Sequence, residues 1–219
     1  MVTTFISEGF VIEASVPRFF NGATAGLFLA CYMTESRQME ADAAKYDVNL
    51  DIALKREKCP VAKLDKKFRL RQCGPDDVVE MTKIYKEVFP TYPFPIHEED
   101  YLAETMQSHV DYYGIEHKGK LVALSSAEMD FTASNAEMTD FATLPDWRGN
   151  GFGVHLLDRM EKEIKRKGIR LPYTIARAAS PGMNITFAKR GYKYGGRLKN
   201  NTNISGRIES MNVWYKTVE

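Results

Sequence analysis

The stretch Thr143-Leu-Pro-Asp-Trp-Arg-Gly-Asn-Gly-Phe-Gly153 decides the fold, because it joins a predicted strand end to a glycine-rich turn that opens a helix. The first backbone N–H groups of a helix have no intrahelical partner, and the helix dipole places partial positive charge beside them. The turn is therefore predicted to hold an anionic group such as a pyrophosphate. Apolar residues recur at helical spacing behind it, at Val154, Leu156, Leu157, Met160 and Ile164.

Residue types within the turn support this prediction. Gly149, Gly151 and Gly153 let the backbone approach a ligand with no Cβ in the way, and Arg148 offers a charge-assisted fork. The alternative is a glycine-rich strand-to-helix turn that binds nothing. Two other nucleotide motifs are absent, since the chain has neither the Gly-Lys-Ser/Thr of a P-loop nor a Gly-x-Gly-x-x-Gly run.

Composition excludes several classes of protein. The 219 residues carry 30 Lys and Arg against 29 Asp and Glu, and this balance argues against a nucleic-acid partner. No apolar stretch approaches the roughly 20 residues that a membrane helix needs, so no membrane partner is expected. Three cysteines without zinc-ligand spacing or a signal peptide favour a reducing cytoplasm. The four histidines show no ligand spacing, and no metal site is predicted.

The chain divides near residue 67. Residues 1–67 are predicted to form a partial N-terminal lobe and a charged, partly helical linker, and residues 68–219 to form the main domain. The main domain begins with a strand at Phe68–Gln72, a helix to about Phe89, a proline-rich loop and a second helix to about Gln107. A hairpin around Gly119, the strand before the glycine turn, its helix, a strand and a helix follow. Two final strands are expected on either side of a turn at 200–203.

This order of elements, with Arg-Gly-Asn-Gly-Phe-Gly at the turn, resembles the GNAT superfamily of acyl-CoA-dependent N-acetyltransferases. The resemblance implies an α+β fold: a mixed, mostly antiparallel twisted sheet, flanked by helices, whose central strands splay apart. It also implies acetyl-CoA as cosubstrate. The implied contacts are Phe141, Ala142 and Thr143 with the pantetheine; Arg148, Gly149, Asn150, Gly151, Phe152 and Gly153 with the pyrophosphate; and Ser180, Asn184 and Phe187 elsewhere on the cofactor.

Longer runs resemble one group within that superfamily. Glu137 to Thr143, Tyr173 to Ala178, Ser180 to Tyr192 and Ile208 to Tyr215 look like the corresponding runs of beta-lysine N-epsilon-acetyltransferases. The resemblance implies that the acceptor is the side-chain amine of beta-lysine, a small molecule. Members of that group usually carry a longer N-terminal portion, so residues 1–33 are expected to be part of a lobe that packs partially or swaps in a homodimer.

Acetylation of an alkyl ammonium requires a base, because presenting the free amine at pH 7 costs roughly 4.6 kcal/mol. Glu137 and Asp140 lie on the strand before the glycine turn and are the candidates, with Glu137 preferred. Strand alternation predicts that they point to opposite faces, so that only one faces the amine. The alternative for each is an ion pair with a neighbouring cation.

The leaving thiolate also needs a proton. Many members of the superfamily use a tyrosine four residues before the Gly-Phe or Gly-Tyr pair, and Phe187 stands there in this chain. The remaining hydroxyls are Tyr173, Tyr192 and Tyr194, with packing as the alternative for each. Two other functions stay open: transfer to a protein lysine, a polyamine or another amino acid, and an acyl-CoA-binding module without catalysis.

Overall fold

Nine strands form one mixed sheet in the computed structural model, which describes residues 2–217, in the order β2-β1-β8-β9-β7-β6-β5-β4-β3. The α+β architecture predicted from sequence is confirmed. The strands are β1 Val11–Phe20, β2 Thr24–Ala30, β3 Phe68–Gln72, β4 Val110–His117, β5 Lys120–Asp130, β6 Asn135–Thr143, β7 Leu171–Arg177, β8 Lys193–Ile204 and β9 Arg207–Tyr215.

Helices pack on both faces of the sheet. One face holds α6, whose buried residues recur at the helical spacing seen in the sequence, and the other holds α4 and α5. Burial of these apolar stripes against the sheet is the main source of stability. The helices are α1 Val2–Ser7, α2 Glu35–Gln38, α3 Ala43–Leu54, α4 Val78–Val88, α5 Glu99–Met106, α6 Phe152–Arg166 and α7 Pro181–Lys189, with 3-10 turns at Pro75–Asp77 and Pro145–Trp147.

Strands β6 and β7 pair in parallel and then separate. Their register runs only from Asn135 with Leu171 to Glu137 with Tyr173, although β6 continues to Thr143 and β7 to Arg177. Beyond Glu137 and Tyr173, the two strands therefore form no backbone pairs with each other, and a gap opens between them. This gap is the splay that the resemblance to the GNAT superfamily implied, and it opens toward the glycine turn.

A β-bulge interrupts β6 inside the splayed stretch. Thr139 pairs with Ser126 and Ala142 with Leu124, so Asp140 and Phe141 share one position opposite β5. Asp140 takes up the extra residue with a φ of 55°. An extra residue resets the alternation of side chains between the two faces.

The turn predicted at residues 200–203 is wrong. These residues belong to β8, where a register shift between Leu198 and Thr202 absorbs Asn200, whose φ is 43°. The turn lies at Ser205 and Gly206, which have φ values of 55° and 86°. Two consecutive left-handed residues match the twist of a hairpin, so the asparagines mark a bulge rather than the turn.

The N-terminal residues extend the same sheet. Strand β1 joins it through the pair Ala14 and Gly196, and α3 packs against α7, where the Asn49 side chain donates to the Ala178 carbonyl at 3.0 Å. The division of the chain at residue 67 stays a prediction. Among residues 2–217, no helix is long and apolar enough to cross a membrane.

Candidate active site

The glycine turn has the backbone geometry of an anion cradle. Gly149 and Gly151 have φ values of 85° and 71°, and Gly151 caps the N-terminus of α6. A Cβ at either position would meet no atom within 4 Å, so the surface above the turn is open. The Asn150 side chain closes the turn by donating to the Trp147 carbonyl at 2.9 Å. These features suit a pyrophosphate at the helix N-terminus.

The end of β6 leads directly into this cradle. Phe141, Ala142 and Thr143 lie beyond the last pair with β7 and retain their pairing with β5 on the other side. Their outer backbone edge borders the splay. The exposed Arg148 side chain is the next cation along the chain, and its Nε donates to the Thr143 carbonyl at 3.4 Å.

Asn184 is a structural residue in this geometry. Its side chain is fully buried and donates to the carbonyls of Arg177 and Ser180 at 3.0 and 2.7 Å. Its carbonyl oxygen accepts from the Asn212 amide at 2.8 Å and the Trp214 indole at 2.9 Å. The side chain thus joins β7, α7 and β9 at the foot of the splay. Ser180 occupies the N-cap of α7 without a side-chain capping bond.

Phe187 belongs to the core. It is fully buried, and its ring packs edge-on against Phe141 at 5.7 Å and Tyr192 at 5.2 Å between centroids. No part of its side chain reaches the surface of the splay. Its contact with Phe141 supports the β6 edge from below.

The prediction that Glu137 and Asp140 point to opposite faces is wrong, because the bulge shifts the alternation between them. The Asp140 carboxylate accepts from the hydroxyl of Tyr92 and, at 2.5 Å, from the Ser126 hydroxyl. Its charge contributes to raising the pKa of Glu137. We call the sheet face that carries Glu137, Asp140, Ser126 and Tyr173 the acceptor face, and α6 packs on the opposite one.

The two carboxylates differ in their surroundings. Both oxygens of Asp140 accept hydrogen bonds from protein hydroxyls, so this carboxylate already has partners. Burial raises the Asp140 pKa, and the bonds from Ser126 and Tyr92 lower it. Asp140 therefore holds Tyr92 and the bulge in place.

Glu137 lies close to two other carboxylates, those of Glu128 and Asp140. Burial, followed by the charges of Glu128 and Asp140, raises its pKa to about 8, and hydrogen bonding from the Ile175 amide and the Tyr173 hydroxyl opposes this rise. Glu128 lies directly opposite Glu137 on β5. A carboxylate tuned in this way to a pKa near the operating pH suits general acid–base chemistry.

A short loop crosses over the acceptor face. The proline-rich segment 90–96 crosses from α4 to the β8–β9 hairpin, where the Ser205 amide donates to the Thr91 carbonyl at 3.0 Å and the Gly206 amide to the Thr91 hydroxyl at 2.8 Å. The Tyr92 side chain packs against residues of both halves of the sheet. The 90–96 loop therefore covers part of the acceptor face beside the splay.

The three tyrosines that the sequence offered as proton donors lie in different environments. Tyr173 faces Glu137, and burial together with that carboxylate raises its pKa. Tyr192 is buried, with burial raising its pKa, and Tyr194 packs edge-on against Trp214. Sequence reasoning missed Ser126 and Glu128. Their place follows from the β5–β6 register, which no local pattern indicates.

Two grooves lie away from this site. The first, of about 500 Å³, lies along the outer side of α6 and is lined by charged residues that include Asp158 and Lys162, themselves an ion pair at 2.6 Å. The second, of about 480 Å³, adjoins Arg18 and Gly168. Neither borders the splay.

A sheet that splits beside a glycine turn, with the partly buried carboxylates of Glu137 and Asp140 on the face opposite α6, fits an acyl-transferring enzyme. The chain belongs to the acetyltransferase (GNAT) family, whose sequence profile matches residues 78–192. It is a GNAT-family N-acetyltransferase, and members of this family use acetyl-CoA as the acetyl donor.

Curated relatives and solved structures agree with this assignment. The chain is 41% identical over 98% of its length to a beta-lysine N(6)-acetyltransferase of Methanococcus maripaludis, of which it covers 78%. The same identity over 71% of the chain relates it to the beta-lysine N(6)-acetyltransferase of Methanosarcina mazei, of which 57% is covered. The ribosomal-protein-S18-alanine N-acetyltransferase of Escherichia coli shares the fold, with a TM-score of 0.60 at 15% identity, over 69% of this chain and 94% of that one.

Proposed function

We propose that this protein transfers the acetyl group of acetyl-CoA to the side-chain amine of beta-lysine. The observation that carries this proposal is the bulge in β6, because it leaves Glu137, whose pKa is raised, and Asp140 on the same face, opposite α6. A cationic acceptor would be attracted to that face. The 41% identity to two beta-lysine N(6)-acetyltransferases supports the choice of acceptor.

The donor is held mainly by backbone in this proposal. The pyrophosphate lies on the amides of 149–153 with Arg148 beside it, and the pantetheine follows the open edge of 141–143. Acetyl-CoA supplies the activated thioester when bound. Ser180 borders the α7 side of the splay. Asn184 and Phe187 support that side from within the core, so their effect on the cofactor is indirect.

Glu137 acts as the base that receives the proton of the acceptor ammonium. An alkyl ammonium in water has a pKa near 10.4, so transferring its proton to an ordinary glutamate costs roughly 8 kcal/mol. With the Glu137 pKa at about 8, the same transfer costs about 3 kcal/mol. Burial beside Glu128 and Asp140 thus makes the carboxylate a better match for the amine.

The charge that develops on the thioester oxygen would be met by a backbone N–H of the splayed β6 edge. The leaving thiolate, whose parent thiol in water has a pKa near 8.5, can depart with a proton from water. Phe187 has no proton to give and is buried, so we assign no tyrosine to this step.

The 90–96 loop over the acceptor face favours a small acceptor over a protein segment. A peptide would need an open groove, and the bonds from Ser205 and Gly206 to Thr91 hold the 90–96 loop across the face at the splay. Three prolines in segment 90–96 stiffen this loop.

Thiol release from acetyl-CoA, measured with four acceptors, tests the proposal. Beta-lysine is expected to give the highest kcat/KM, followed by alpha-lysine, with spermidine and a histone-like peptide well below both. A higher kcat/KM with the peptide or with spermidine than with beta-lysine would show that the acceptor is a different amine, although acetyl transfer itself would still be supported. Binding of acetyl-CoA without thiol release for any amine would favour a module without catalysis.

We also propose a homodimer that uses the N-terminal hairpin. Strand β2 is an edge strand, and such strands offer unpaired backbone groups to a second copy. Exposed apolar side chains cluster nearby, at Val2, Phe5, Ile6, Val11, Ile12 and Phe20. Light scattering should give twice the mass of one chain, and a monomer at micromolar concentration would contradict this arrangement.

A further inference from the structure

We propose that Arg177 binds the carboxylate of the amino acid acceptor, an inference that rests on the proposed acetyl transfer. Arg177 is the last residue of β7 and lies beyond the point where β7 leaves β6. A guanidinium at this position would let the site distinguish an amino acid from a simple amine.

Glu209 fixes the Arg177 side chain. The Nε and Nη2 atoms of Arg177 donate to the two Glu209 carboxylate oxygens at 2.8 and 2.7 Å. The Glu209 side chain is only 1% exposed, whereas that of Arg177 is 30% exposed. A guanidinium carries five N–H groups, and a bidentate pair uses two of them. Glu209 lies on β9, which pairs with β7 on the side away from β6, and the N–H groups that this ion pair leaves unused are the ones that would bind the carboxylate.

Position along β7 places Arg177 on the acceptor face. Side chains alternate along a strand, so Tyr173, Ile175 and Arg177 share one face. Tyr173 pairs with Glu137, and the Ile175 amide bonds to the Glu137 carboxylate. Arg177 lies two residues, or roughly 7 Å, further along the strand. Arg177 is therefore the next residue on this face after the two that contact the proposed base.

The spacing suits a small diamino acid. In beta-lysine, six bonds separate the side-chain nitrogen from the carboxylate carbon, and bonds of about 1.5 Å give an extended span of roughly 7 Å. This span is similar to the roughly 7 Å along the strand from Ile175, whose amide bonds to Glu137, to Arg177. Removal of the carboxylate would leave the guanidinium N–H groups without a charged partner.

Neighbouring arginines are engaged elsewhere. Arg207 donates to Glu209 at 3.0 Å and to Asp42 at 3.1 Å. Arg197 donates to Asp47 at 2.9 Å and to the Asn212 side chain at 3.2 Å. Among these three arginines, Arg177 is the one on a strand that borders the splay.

The test compares beta-lysine with 1,4-diaminopentane, the same diamine without the carboxylate. Wild-type protein should prefer beta-lysine by about 10- to 100-fold in kcat/KM, the scale of one charge-assisted pair. Arg177→Gln should remove most of that preference through a higher KM for beta-lysine. The kcat/KM for 1,4-diaminopentane and the KM for acetyl-CoA should stay within about threefold of the wild-type values. Arg207→Gln, which disturbs the same glutamate, should keep the preference.

Loss of Arg177 leaves Glu209 buried without its bidentate partner, so a double variant with Arg177→Gln and Glu209→Gln guards against misfolding. It should show the same loss of preference. Equal kcat/KM for both amines in the wild-type protein would overturn the carboxylate site and leave the acetyl transfer standing. A higher acetyl-CoA KM with both amines in Arg177→Gln would also overturn it. No acetylation of either amine by the wild-type protein would instead remove the proposed function on which this site rests.

Discussion

The two sides of the splay differ in the groups they present: one presents mainly backbone groups, and the other presents side chains. On the donor side, a glycine turn and an open strand edge offer backbone amides, and the conformation depends on residues within a few positions of each other. On the acceptor face, side chains from β5, β6, β7 and the 90–96 loop meet around Glu137 and Asp140. Backbone recognition of this kind can be shared across a family, whereas the side-chain set can differ with the acceptor.

The largest effect is expected at the base. Glu137→Gln should lower kcat/KM by a factor on the order of 10² to 10⁴, the scale for losing a general base. The amide retains size and hydrogen bonding, so the acetyl-CoA Kd should stay the same. Steady-state kinetics and calorimetry measure the two quantities.

Asp140→Asn is the matched variant on the same strand. Its amide can accept from only one of Tyr92 and Ser126 without rearrangement, so stability should fall by about 1–2 kcal/mol. Its kcat/KM should fall much less than that of Glu137→Gln. The reverse order of activities would make Asp140 the base.

A large effect on stability is expected at the junction of the two sides. Asn184→Ala leaves the Trp214 indole and the Asn212 amide without their shared acceptor, so the free energy of unfolding should fall by roughly 2–4 kcal/mol. Chemical denaturation measures this loss. The acetyl-CoA Kd should change less than threefold in protein that remains folded, and a large loss of affinity would show a direct cofactor contact.

A smaller effect is expected in the cradle. Gly151→Ala places a side chain at a φ of 71°, which costs about 1–2 kcal/mol and should weaken acetyl-CoA binding about tenfold as the turn distorts. Gly168→Ala is the control, because Gly168 has a φ of 83° at the far end of α6. It should lose similar stability and keep its acetyl-CoA affinity in calorimetry. Equal acetyl-CoA affinity in the two variants would contradict the assignment of the glycine turn as the pyrophosphate site.

The difference between the two sides explains what the sequence could predict. Helix α6 and the turn at Gly149 and Gly151 follow from local spacing and local backbone preference, whereas the splay of β6 was expected from the resemblance to the GNAT superfamily. The face of Asp140 does not, because the bulge that determines it depends on the register with β5. The same limit applies to Asn200, where a residue typical of turns lies in a bulge of β8. The pairing of Ser126 with Asp140, and of Glu209 with Arg177, required the three-dimensional structure.

Substitution of Glu128 tests the electrostatic cause of the raised Glu137 pKa. The charge of Glu128 is the largest cause after burial of the raised Glu137 pKa, and its side chain is half-exposed beside His109. Glu128→Gln should therefore move the Glu137 ionisation to lower pH. An unchanged profile would mean that solvent screens this pair.

The pH dependence of kcat/KM for beta-lysine tests the central claim, which is that the partly buried Glu137 carboxylate on the acceptor face is the base. Glu137 is protonated below its pKa of about 8 and becomes a base above it, so kcat/KM should rise through one ionisation near pH 8 and level off before the amine itself titrates. Glu137→Gln should lack this inflection. A rise that continues unbroken toward the amine pKa near 10.4, and that the variant shares, would show that free amine is drawn from solution and would contradict the account.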